Sequence, residues 1–490
     1  MSDALVAGTT VLSPSGQAFT VSDALSAEFE PGDRLIATDL EGLLRIPAKD
    51  HDTANTAVTA CHKAFNDMGA VTNDQIIDFY HQFAAALAND EIWEQIQSVN
   101  KNDVASARRR GRSTTRLVVS DKMRQGMIDG LNGWASMPSQ RDAVLETIDH
   151  EDFRVELVGA ALGLVAFVFE GRPNVLADAC GVLRGGNTVV MRIGSDALST
   201  ANTIMSAALI PSLMAAGLPQ HAVTLVNSPT HASGWALFLD QRLGLAVARG
   251  SGPAVAQLGA LAQSVGTPVS LHGTGGAWIM ASATADPTHF EHVVTRSLDR
   301  KVCNTLNTCC IERSAADQLV PAFIAGIHTA GENRGQAYRL HVVEGSEGMV
   351  DPALFNEPVQ VLRAEGPVDE PCATLLSRND LGIEWEWEES PEVTLMVVDS
   401  VEEATRLFNQ YSPRLVVSLI SPDEVEQTQF WQQVHSPFVG DNHTRWVDGQ
   451  FALSKPELGL SNWANGRLFG RGAILTGDGV YTVRTRYVQQ

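Results

Sequence analysis

The spacing of apolar residues changes along the chain. Residues 1 to about 50 contain short apolar pieces separated by turn sequences such as Pro14-Ser15-Gly16, which predicts short strands. From His51 the apolar residues recur at three- and four-residue spacing, which is typical of amphipathic helices. The helices predicted in this way span 56–65, 74–89, 90–110 and 121–134. Residues 144–157 then alternate apolar and polar positions like a β-hairpin arm.

After residue 160, short segments rich in Val, Leu and Ile alternate with helical segments. The predicted strands are 162–169, 187–192, 222–227, 243–248 and 268–271. The predicted helices between them are 174–183, 197–216, 231–239 and 252–265. This order indicates an α/β fold in which helices cover both faces of a parallel sheet. Such a sheet binds its ligand beyond the carboxyl ends of its strands.

A second α/β segment follows, with predicted helices near 314–332, 401–411 and 423–434 and predicted strands at 339–344, 393–398 and 415–420. Residues 480–488 alternate like an exposed strand, which can pair edge to edge with another chain. The predicted domains are a β-rich extension (1–50), a cofactor-binding domain (51–289) with an oligomerisation hairpin (143–158), a catalytic domain (290–435), and a return to the cofactor domain that ends in an oligomerisation strand (436–490).

The composition excludes several classes of partner. The 35 basic and 57 acidic residues give a net charge of 35 − 57 = −22, which argues against nucleic-acid binding. The N-terminus lacks the basic and apolar regions of a signal peptide, and apolar runs such as 157–169 are too short to span a membrane. The six cysteines lack the spacing of a disulfide framework or a zinc site. We therefore expect a cytoplasmic protein without a bound metal.

Cys303, in the sequence KVCNTLNTCC (301–310), is the candidate nucleophile. It follows a predicted helix over 287–300 and is expected to open the next helix. A helix N-terminus lowers the pKa of a thiol from about 8.5, and the thiolate is the reactive species. Most intracellular cysteines are instead small buried apolar residues, and we interpret Cys309 and Cys310 in that way.

Two polar residues follow predicted strands of the first sheet. Asn174 could direct its amide group into the ligand crevice and form an oxyanion hole with the backbone N–H of Cys303. It could equally act only as a helix N-cap. His272 could be an acid or base, an anion donor, or a structural histidine.

Further strand ends carry candidate cofactor contacts. Arg192 and Ser195 suit a ribose 2′-phosphate, whereas the adjacent Asp196 suits a free 2′-hydroxyl, so NADP is preferred to NAD only modestly. The run 249–252, which includes Arg249, Gly250 and Ser251, either receives a pyrophosphate or is a plain turn. Gly273 and Gly275 permit the close approach of a nicotinamide ring. The basic run 108–112 is interpreted as a solvated helix end.

Seven pieces of the chain, taken together, are similar to the aldehyde dehydrogenase superfamily, and within it to the reductases that act on L-glutamyl 5-phosphate. These pieces are NKNDVASARRRGRS (100–113), FEGRPNVLADA (169–179), GGNTVVMR (185–192), PVSLHGTGG (268–276), KVCNT (301–305), HTRWVDG (443–449) and PELGLS (456–461). The resemblance covers about 51–490. It implies a Rossmann-type cofactor domain, a second α/β catalytic domain and a small β oligomerisation arm.

The resemblance also implies roles for single residues. It makes Cys303 the nucleophile and Asn174 an oxyanion donor. Cofactor contacts are implied around Arg192, Ser195, Gly250 and Ser251. The implied substrate contacts are Arg172, Asn304, Arg445 and Glu457, and either Glu386 or Glu388 is expected to contact the nicotinamide ribose.

His272 stands where hydrolytic members of the family carry a glutamate that activates water. Without that base a thioacyl enzyme is hydrolysed poorly and suits phosphate or another acceptor. The chain departs from the reductase pattern at Asn307 in place of a Glu, at 277–279 and at 453–456, and we expect these positions near the acyl pocket.

The resulting hypothesis is NADPH-dependent reduction of an acyl phosphate, with L-glutamyl 5-phosphate favoured, through a thioacyl intermediate on Cys303. One alternative is a reductase of a CoA or carrier-protein thioester, and another is a scaffold without catalysis. NAD stays open as the cofactor. The expected partners are the small acyl substrate, a carrier protein or an upstream kinase, and further copies of the chain in a homodimer or homotetramer.

Overall fold

A computed structural model describes residues 5–112, 114, 116–273, 275–363, 366–447, 454, 456 and 477–489, and the backbone of 460–461, 463–464, 467–468 and 474–475. The chain forms two compact units. The first comprises Met1–Gly273, Leu453–Ser461 and Ile474–Gln490, and the second comprises Thr274–Ala452 and Asn462–Ala473. The change of unit at Gly273 comes before the predicted boundary at 289, because 277–281 already forms a strand of the second sheet.

The N-terminal residues form two small antiparallel hairpins with a short helix between them. Their elements are β1 (Thr10–Leu12), β2 (Ala18–Thr20), α1 (Asp23–Glu28), β3 (Arg34–Thr38) and β4 (Gly42–Ile46). Ile46 is fully buried, and the buried hydroxyl of Thr38 donates to Gln257 Oε1 at 3.3 Å. This segment is therefore packed into the first unit.

Four amphipathic helices follow, as the apolar spacing predicts. They are α2 (Ala48–Asp67), α3 (Asn73–Ala88), α4 (Asp90–Arg109) and α5 (Asp121–Ser136). Side chains cap three of them: Thr72 and Gln75 form a capping box on α3, Asn89 caps α4 and Ser120 caps α5. Their buried faces include Phe79, Phe83 and Trp134, which belong to the core beneath the first large sheet.

A five-stranded parallel sheet forms the centre of the first unit. The sheet is preceded by the hairpin strands β5 (Val144–Asp149) and β6 (Phe153–Ala160). Its strands are β7 (Leu164–Phe169), β8 (Thr188–Ile193), β9 (Val223–Leu225), β10 (Leu243–Arg249) and β11 (Val269–His272). The helices between them are α6 (Val175–Ala179), α7 (Leu198–Ile204), α8 (Ile210–Ala215), α9 (His231–Phe238) and α10 (Gly252–Ser264). The strand order is β11-β10-β7-β8-β9. The order reverses between β7 and β10, so the ligand crevice of such a sheet lies at their carboxyl ends.

The continuous helical run Ser195–Ala215 has the length and apolar composition of a membrane span. A π-helical turn at Met205–Leu209 divides it into α7 and α8. Ala201, Ile204, Leu209 and Leu213 are fully buried in the core of the first unit. The run therefore packs as a core helix.

The second unit contains a seven-stranded parallel sheet. Its elements are β12 (Ala277–Ala281), α11 (Pro287–Arg296), β13 (Leu306–Glu312), α12 (Ala316–Glu332), β14 (Arg339–Val343), β15 (Pro358–Arg363), β16 (Gly366–Pro371), β17 (Ala373–Leu376), β18 (Glu392–Val398), α13 (Val401–Tyr411), β19 (Val416–Ile420), α14 (Glu424–Gln433) and β20 (Phe438–Gly440). The strand order is β17-β14-β18-β13-β12-β19-β20, and β15 and β16 pair in a separate hairpin. Both sheets confirm the predicted α/β class.

The C-terminal strand pairs within the chain. The last elements are β21 (Leu460–Ser461), β22 (Trp463–Ala464), β23 (Arg467–Leu468), β24 (Ile474–Leu475) and β25 (Thr482–Gln489). β25 runs antiparallel to β6, so that β25, β6 and β5 form a three-stranded sheet. Arg486 Nη2 donates to Glu156 Oε2 at 2.5 Å, and the rings of Phe153 and Tyr487 stack at 5.0 Å. A contact with another copy of the chain stays a prediction.

Replacing Asn187 with Ala is expected to lower the free energy of unfolding by about 3 kcal/mol, because it leaves buried polar groups without partners. The Asn187 side chain accepts from Leu162 N and Gly163 N and donates to Val182 O and Val480 O, and it is fully buried. Chemical denaturation measures the change. Asn202→Ala, which removes a surface hydrogen bond to Asn227, serves as the control and should cost under about 0.5 kcal/mol.

Candidate active site

Cys303 is the accessible thiol of the chain. It is half-buried, whereas the other five cysteines are buried. Burial raises the pKa of each of those five thiols, which are Cys61, Cys180, Cys309, Cys310 and Cys372. Since the thiolate is the nucleophile, these five side chains are unreactive. Nucleophilic sulfur chemistry is therefore confined to Cys303.

The predicted position of Cys303 at a helix N-terminus is wrong. The residue lies in a turn that leads into strand β13, and no helix begins there. The residues of β13 are buried on both faces, between β12 and β18, so they take the extended conformation of a central strand. The helix dipole thus has no part in activating this thiol.

Backbone and hydroxyl contacts fix the loop that carries Cys303. Thr305 Oγ1 accepts from Val302 N at 2.9 Å and donates to Arg300 O at 2.6 Å. The carbonyl of Cys303 accepts from Gly276 N at 2.8 Å. A Cβ atom on Gly275 would lie 2.4 Å from Cys303 Cα, closer than real Cβ contacts come. Glycine at this position therefore permits the backbone of the nucleophile loop to approach.

Gly273 is also closely packed against other residues of the protein. A Cβ atom there would lie 2.8 Å from Val255 Cβ and 3.0 Å from Gly252 Cα. Both Gly273 and Gly275 are thus required by packing within their own units. Their contact with a nicotinamide ring stays a prediction.

Glu384 clamps the nucleophile loop and was not singled out by sequence reasoning. Its Oε1 lies 2.5 Å from Lys301 Nζ, and its Oε2 accepts from Gly275 N at 2.7 Å. The alternating run EWEWEE (384–389) signals a carboxylate-rich edge but does not distinguish its members. Glu386 lies 3.9 Å from the same ammonium, and Glu388 is exposed with its carbonyl accepting from Arg334. The cofactor role of either residue stays a prediction.

Asn307 holds the segment that contains Glu384. Its Oδ1 accepts from Trp385 N at 2.9 Å, and its Nδ2 donates to Ile383 O at 2.8 Å. A glutamate side chain, as in the reductase pattern, could not donate to a carbonyl when ionised. The departure at 307 therefore has a structural explanation within this chain.

The departure at 277–279 lies in the core. These residues belong to β12, and Trp278 is fully buried with its ring edge-on to Phe408 at 5.7 Å. All three side chains are buried in the sheet, and their position near an acyl pocket stays a prediction. Glu457 lies outside the described residues, as do Leu453 and Lys455.

Asn304 and Arg445 are brought together in the second unit. Asn304 Oδ1 accepts from Arg445 Nη1, and Arg445 Nε donates to Asp299 Oδ1 at 2.6 Å. Asn304 and Arg445 are buried. Asn304 directly follows Cys303 in sequence, so the pair places a cation and an amide beside the nucleophile loop. Its contact with substrate stays a prediction.

The remaining predicted residues lie at the carboxyl edge of the first sheet. They lie in the last residues of β7, β8, β10 and β11 or just after these strands, and are Arg172, Asn174, Arg192, Ser195, Arg249, Gly250, Ser251 and His272. Asn174 precedes the five-residue helix α6, where its Nδ2 donates to Asp178 Oδ2 at 3.3 Å. Its side chain makes no N-cap hydrogen bond, so capping does not explain it. Its oxyanion role stays a prediction.

Positive charge is concentrated at this edge. Burial, followed by repulsion from Arg116 and Arg249, lowers the pKa of Arg172 to about 10, and burial lowers the pKa of Arg192. Arg192 Nη2 donates to Pro229 O and Thr230 O, each at 3.1 Å. All these guanidinium groups remain charged at neutral pH. An anionic ligand is therefore attracted to this edge despite the net charge of −22.

His272 is neutral in this environment. Burial, followed by repulsion from Arg249 and Arg172, lowers its pKa to about 3. An imidazole with this pKa is a weak base and carries no charge near neutral pH. A neutral imidazole keeps one N–H donor, so the roles considered for His272 stay predictions.

The donor set at the edge fits a dinucleotide phosphate chain. Arg172, Arg192 and Arg249 supply cations, and α10 begins immediately after Ser251 with its N-terminal N–H groups. Arg192 Nε is buried and has no hydrogen-bond partner among the described residues, so it can receive an added acceptor. The described residues contain no group of three or more His, Cys, Asp or Glu side chains suited to a metal ion.

The chain is similar to known proteins over most of its length. Residues 36–334 match the family model described as the aldehyde dehydrogenase family. Gamma-glutamyl phosphate reductase of Caulobacter vibrioides is 27% identical over 403 residues, which cover 80% of this chain and 88% of that protein. The Rhizobium etli protein of the same name is 26% identical over 368 residues, or 73% and 77% of the two chains.

Solved structures show the same fold. The crystal structure of gamma-glutamyl phosphate reductase from Thermotoga maritima aligns with a TM-score of 0.76 at 20% identity, over 90% of this chain and 99% of that chain. An acetylating aldehyde dehydrogenase from Geobacillus thermoglucosidasius aligns with a TM-score of 0.61 at 15% identity, over 89% and 96%.

Replacing Gly275 with Ala is expected to lower the free energy of unfolding by about 2 kcal/mol, because the new Cβ overlaps the backbone of Cys303. The displaced loop should also change the rate of Cys303 alkylation by iodoacetamide. Gly126→Ala in α5, where nothing lies within 4 Å, should instead stabilise the protein by about 0.5–1 kcal/mol. Equal behaviour of the two variants would contradict the proposed close packing.

Replacing His272 with Asn should flatten the loss of stability in acid. A folded pKa of about 3, below the ordinary 6.5, means that the unfolded chain takes up the proton first as the pH falls. The stabilising contribution is therefore complete above pH 6.5 and decreases toward pH 3. Thermal midpoints between pH 7 and pH 4 measure it. The exposed His289→Asn control should follow the unaltered protein, and parallel curves for all three would sink the argument.

Proposed function

The chain belongs to the aldehyde dehydrogenase family and is an NAD(P)-dependent oxidoreductase, and on that premise we propose that it reduces an acyl phosphate to an aldehyde. The proposed substrate is L-glutamyl 5-phosphate, the reductant NADPH and the product glutamate 5-semialdehyde, in proline synthesis. The accessible, clamped thiol of Cys303 carries the proposal. Curated relatives named gamma-glutamyl phosphate reductase, similar over most of their length, support the choice of substrate.

Cys303 performs the covalent step. Its thiolate attacks the acyl carbon, so that the C–S bond forms while the C–O bond to phosphate breaks and phosphate leaves. The clamp of Glu384 on Gly275 and Lys301 limits the movement of the loop during this attack. A nicotinamide dinucleotide, when bound, would supply the hydride that reduces the thioester. Cys303 then recovers its thiolate as the aldehyde is released.

The low basicity of His272 argues against hydrolysis of a thioacyl enzyme. A hydrolytic member of the family needs a carboxylate base at this position, whereas this imidazole has a pKa of about 3. Such a group takes a proton from water poorly near neutral pH. The thioester is therefore left for reduction, or for phosphate in the reverse direction.

The arginines at the sheet edge would hold the cofactor. Arg249 and the N-terminus of α10 suit its pyrophosphate, and Arg192 suits its adenosine ribose end. Arg172 adds positive charge to the same edge.

We also propose that the chain works in the cytoplasm as a homodimer or homotetramer. The outer edge of β5 is exposed along its whole length, and Val144, Leu145 and Ile148 are apolar residues on it. An exposed strand edge of this kind pairs readily with another copy.

Replacing Cys303 with Ser should abolish NADPH formation from glutamate semialdehyde, NADP and phosphate, a loss of at least about a thousandfold. The hydroxyl is a far weaker nucleophile at neutral pH. Cys309→Ala, at a buried position of β13, is the control and should retain activity. Absorbance of NADPH measures both rates.

The same assay separates the alternatives. Activity with CoA and none with phosphate would support a thioester reductase and contradict the acyl phosphate. A chain inactive with both acceptors, whose Cys303 is alkylated equally fast with and without NADP, would instead be a scaffold.

A further inference from the structure

The basic run at the end of α4 forms more than a solvated helix end. Arg108 and Arg109 are exposed at the end of α4, as the sequence predicts. Arg110 and Arg112 instead reach the loop after β8. Arg110 Nη2 lies 2.5 Å from Asp196 Oδ1, and Arg112 Nη1 lies 2.7 Å from Asp196 Oδ2. Both oxygens of one carboxylate thus lie within ion-pair distance of a guanidinium group, and the contact to Oδ2 is also a hydrogen bond, whereas Oδ1 has no hydrogen-bond partner among the described residues.

Asp196 lies beside the expected ligand crevice. The loop after β8 packs on the loop after β7: Gly194 N donates to Phe169 O at 3.0 Å, and a Cβ on Gly171 would lie 3.4 Å from Asp196 Cβ. β7 adjoins the point where the strand order reverses. In dinucleotide-binding sheets, residues after the second strand contact the adenosine ribose. The trio Arg110, Asp196 and Arg112 stands at that place.

The charges of the trio favour an anion over a hydroxyl. A carboxylate at this place accepts the 2′-hydroxyl of NAD when its oxygens are free. Here both oxygens are ion-paired, and two guanidinium groups on one carboxylate leave a formal charge of 2 − 1 = +1. The pKa of His231 is lowered first by burial and then by repulsion from Arg192 and Arg112. The second cause shows that the positive charge of these arginines reaches His231.

We propose that Arg110 and Arg112 bind the 2′-phosphate of the cofactor and select NADPH over NADH, while Asp196 orients the two guanidinium groups. The ligand rests on the proposed function, which supplies the nicotinamide dinucleotide. The residues themselves lie outside the sheet, on the segment that follows α4. Arginine suits this task because its planar fork binds phosphate oxygens in pairs.

Calorimetric titration of the full chain with nucleotide fragments tests the proposal without catalysis. The probes are 2′,5′-ADP, 3′,5′-ADP and 5′-AMP, followed by NADPH and NADH. The double variant R110A/R112A should weaken 2′,5′-ADP and NADPH by at least about tenfold, since it removes two charge-assisted contacts. Binding of 5′-AMP and NADH should stay within about twofold.

R108A/R109A is the matched control, because it removes two positive charges from the same helix end at exposed positions. At about 0.15 M salt, where surface charges are screened, it should change 2′,5′-ADP binding by less than about threefold. An equal loss of 2′,5′-ADP affinity in both double variants would mean that only the total positive charge of the helix end matters, and it would overturn the proposal.

Asp196→Asn distinguishes an orienting carboxylate from one that binds ribose. This variant is expected to bind 2′,5′-ADP more weakly and NADH as before, whereas a selective loss of NADH binding would overturn the proposal.

The unaltered protein supplies a further test. Tighter binding of 3′,5′-ADP than of 2′,5′-ADP would assign the arginines to the 3′-phosphate of CoA and also overturn the proposal. Equal affinity for NADPH and NADH would sink this inference alone. Failure to bind any dinucleotide would remove the proposed function as well.

Discussion

The contact of the Gly275 backbone with the backbone of Cys303 is the constraint on which the reactive thiol depends. No side chain fits between the two segments, and the Gly276 N–H reaches the Cys303 carbonyl across the gap. Glu384 then binds one residue on each side of this contact, Gly275 and Lys301. A helix terminus would have supplied both rigidity and a dipole to the thiol. In this chain rigidity comes from backbone packing and a carboxylate clamp.

A second constraint is electrostatic and belongs to the first unit. The chain is strongly acidic, yet the loops at the carboxyl edge of its parallel sheet hold Arg172, Arg192 and Arg249. These cations and burial keep His272 neutral. The same edge therefore attracts phosphate groups, and it offers no strong base that could activate water. The two properties follow from one distribution of charge, and they suit a reductase better than a hydrolase.

The apolar pattern predicts regular elements where amphipathic or alternating periods are long. Helices α3 to α5 and strands β7 to β11 lie close to their predicted bounds, whereas α2 begins at Ala48 and not at the predicted Thr56. A strand buried on both faces shows no period and is recognised by its composition. The Val residues of β7 and β8 made these strands recognisable, whereas β12 (AWIMA) and β13 (LNTCCIE) contain no Val and were missed. The same ambiguity produced the wrong helix after Cys303. The run 108–112 was interpreted from local sequence alone, and its ion pairs with Asp196 join residues far apart in the chain.

The α/β class, the acidic surface, and the distinction of Cys303 from the neighbouring cysteines can be derived from the amino-acid sequence. These properties depend on composition, on short-range periodicity and on motifs that are contiguous in the chain. Three other features became visible in the folded chain: Glu384 clamps the nucleophile loop, Asn307 anchors residues 383 and 385, and Asp196 is ion-paired. Each of these is a contact between distant segments, and its partner is fixed by how the strands are ordered in a sheet. The order of the strands cannot be deduced from neighbouring residues, because these hydrogen-bond partners become close only when the chain has folded.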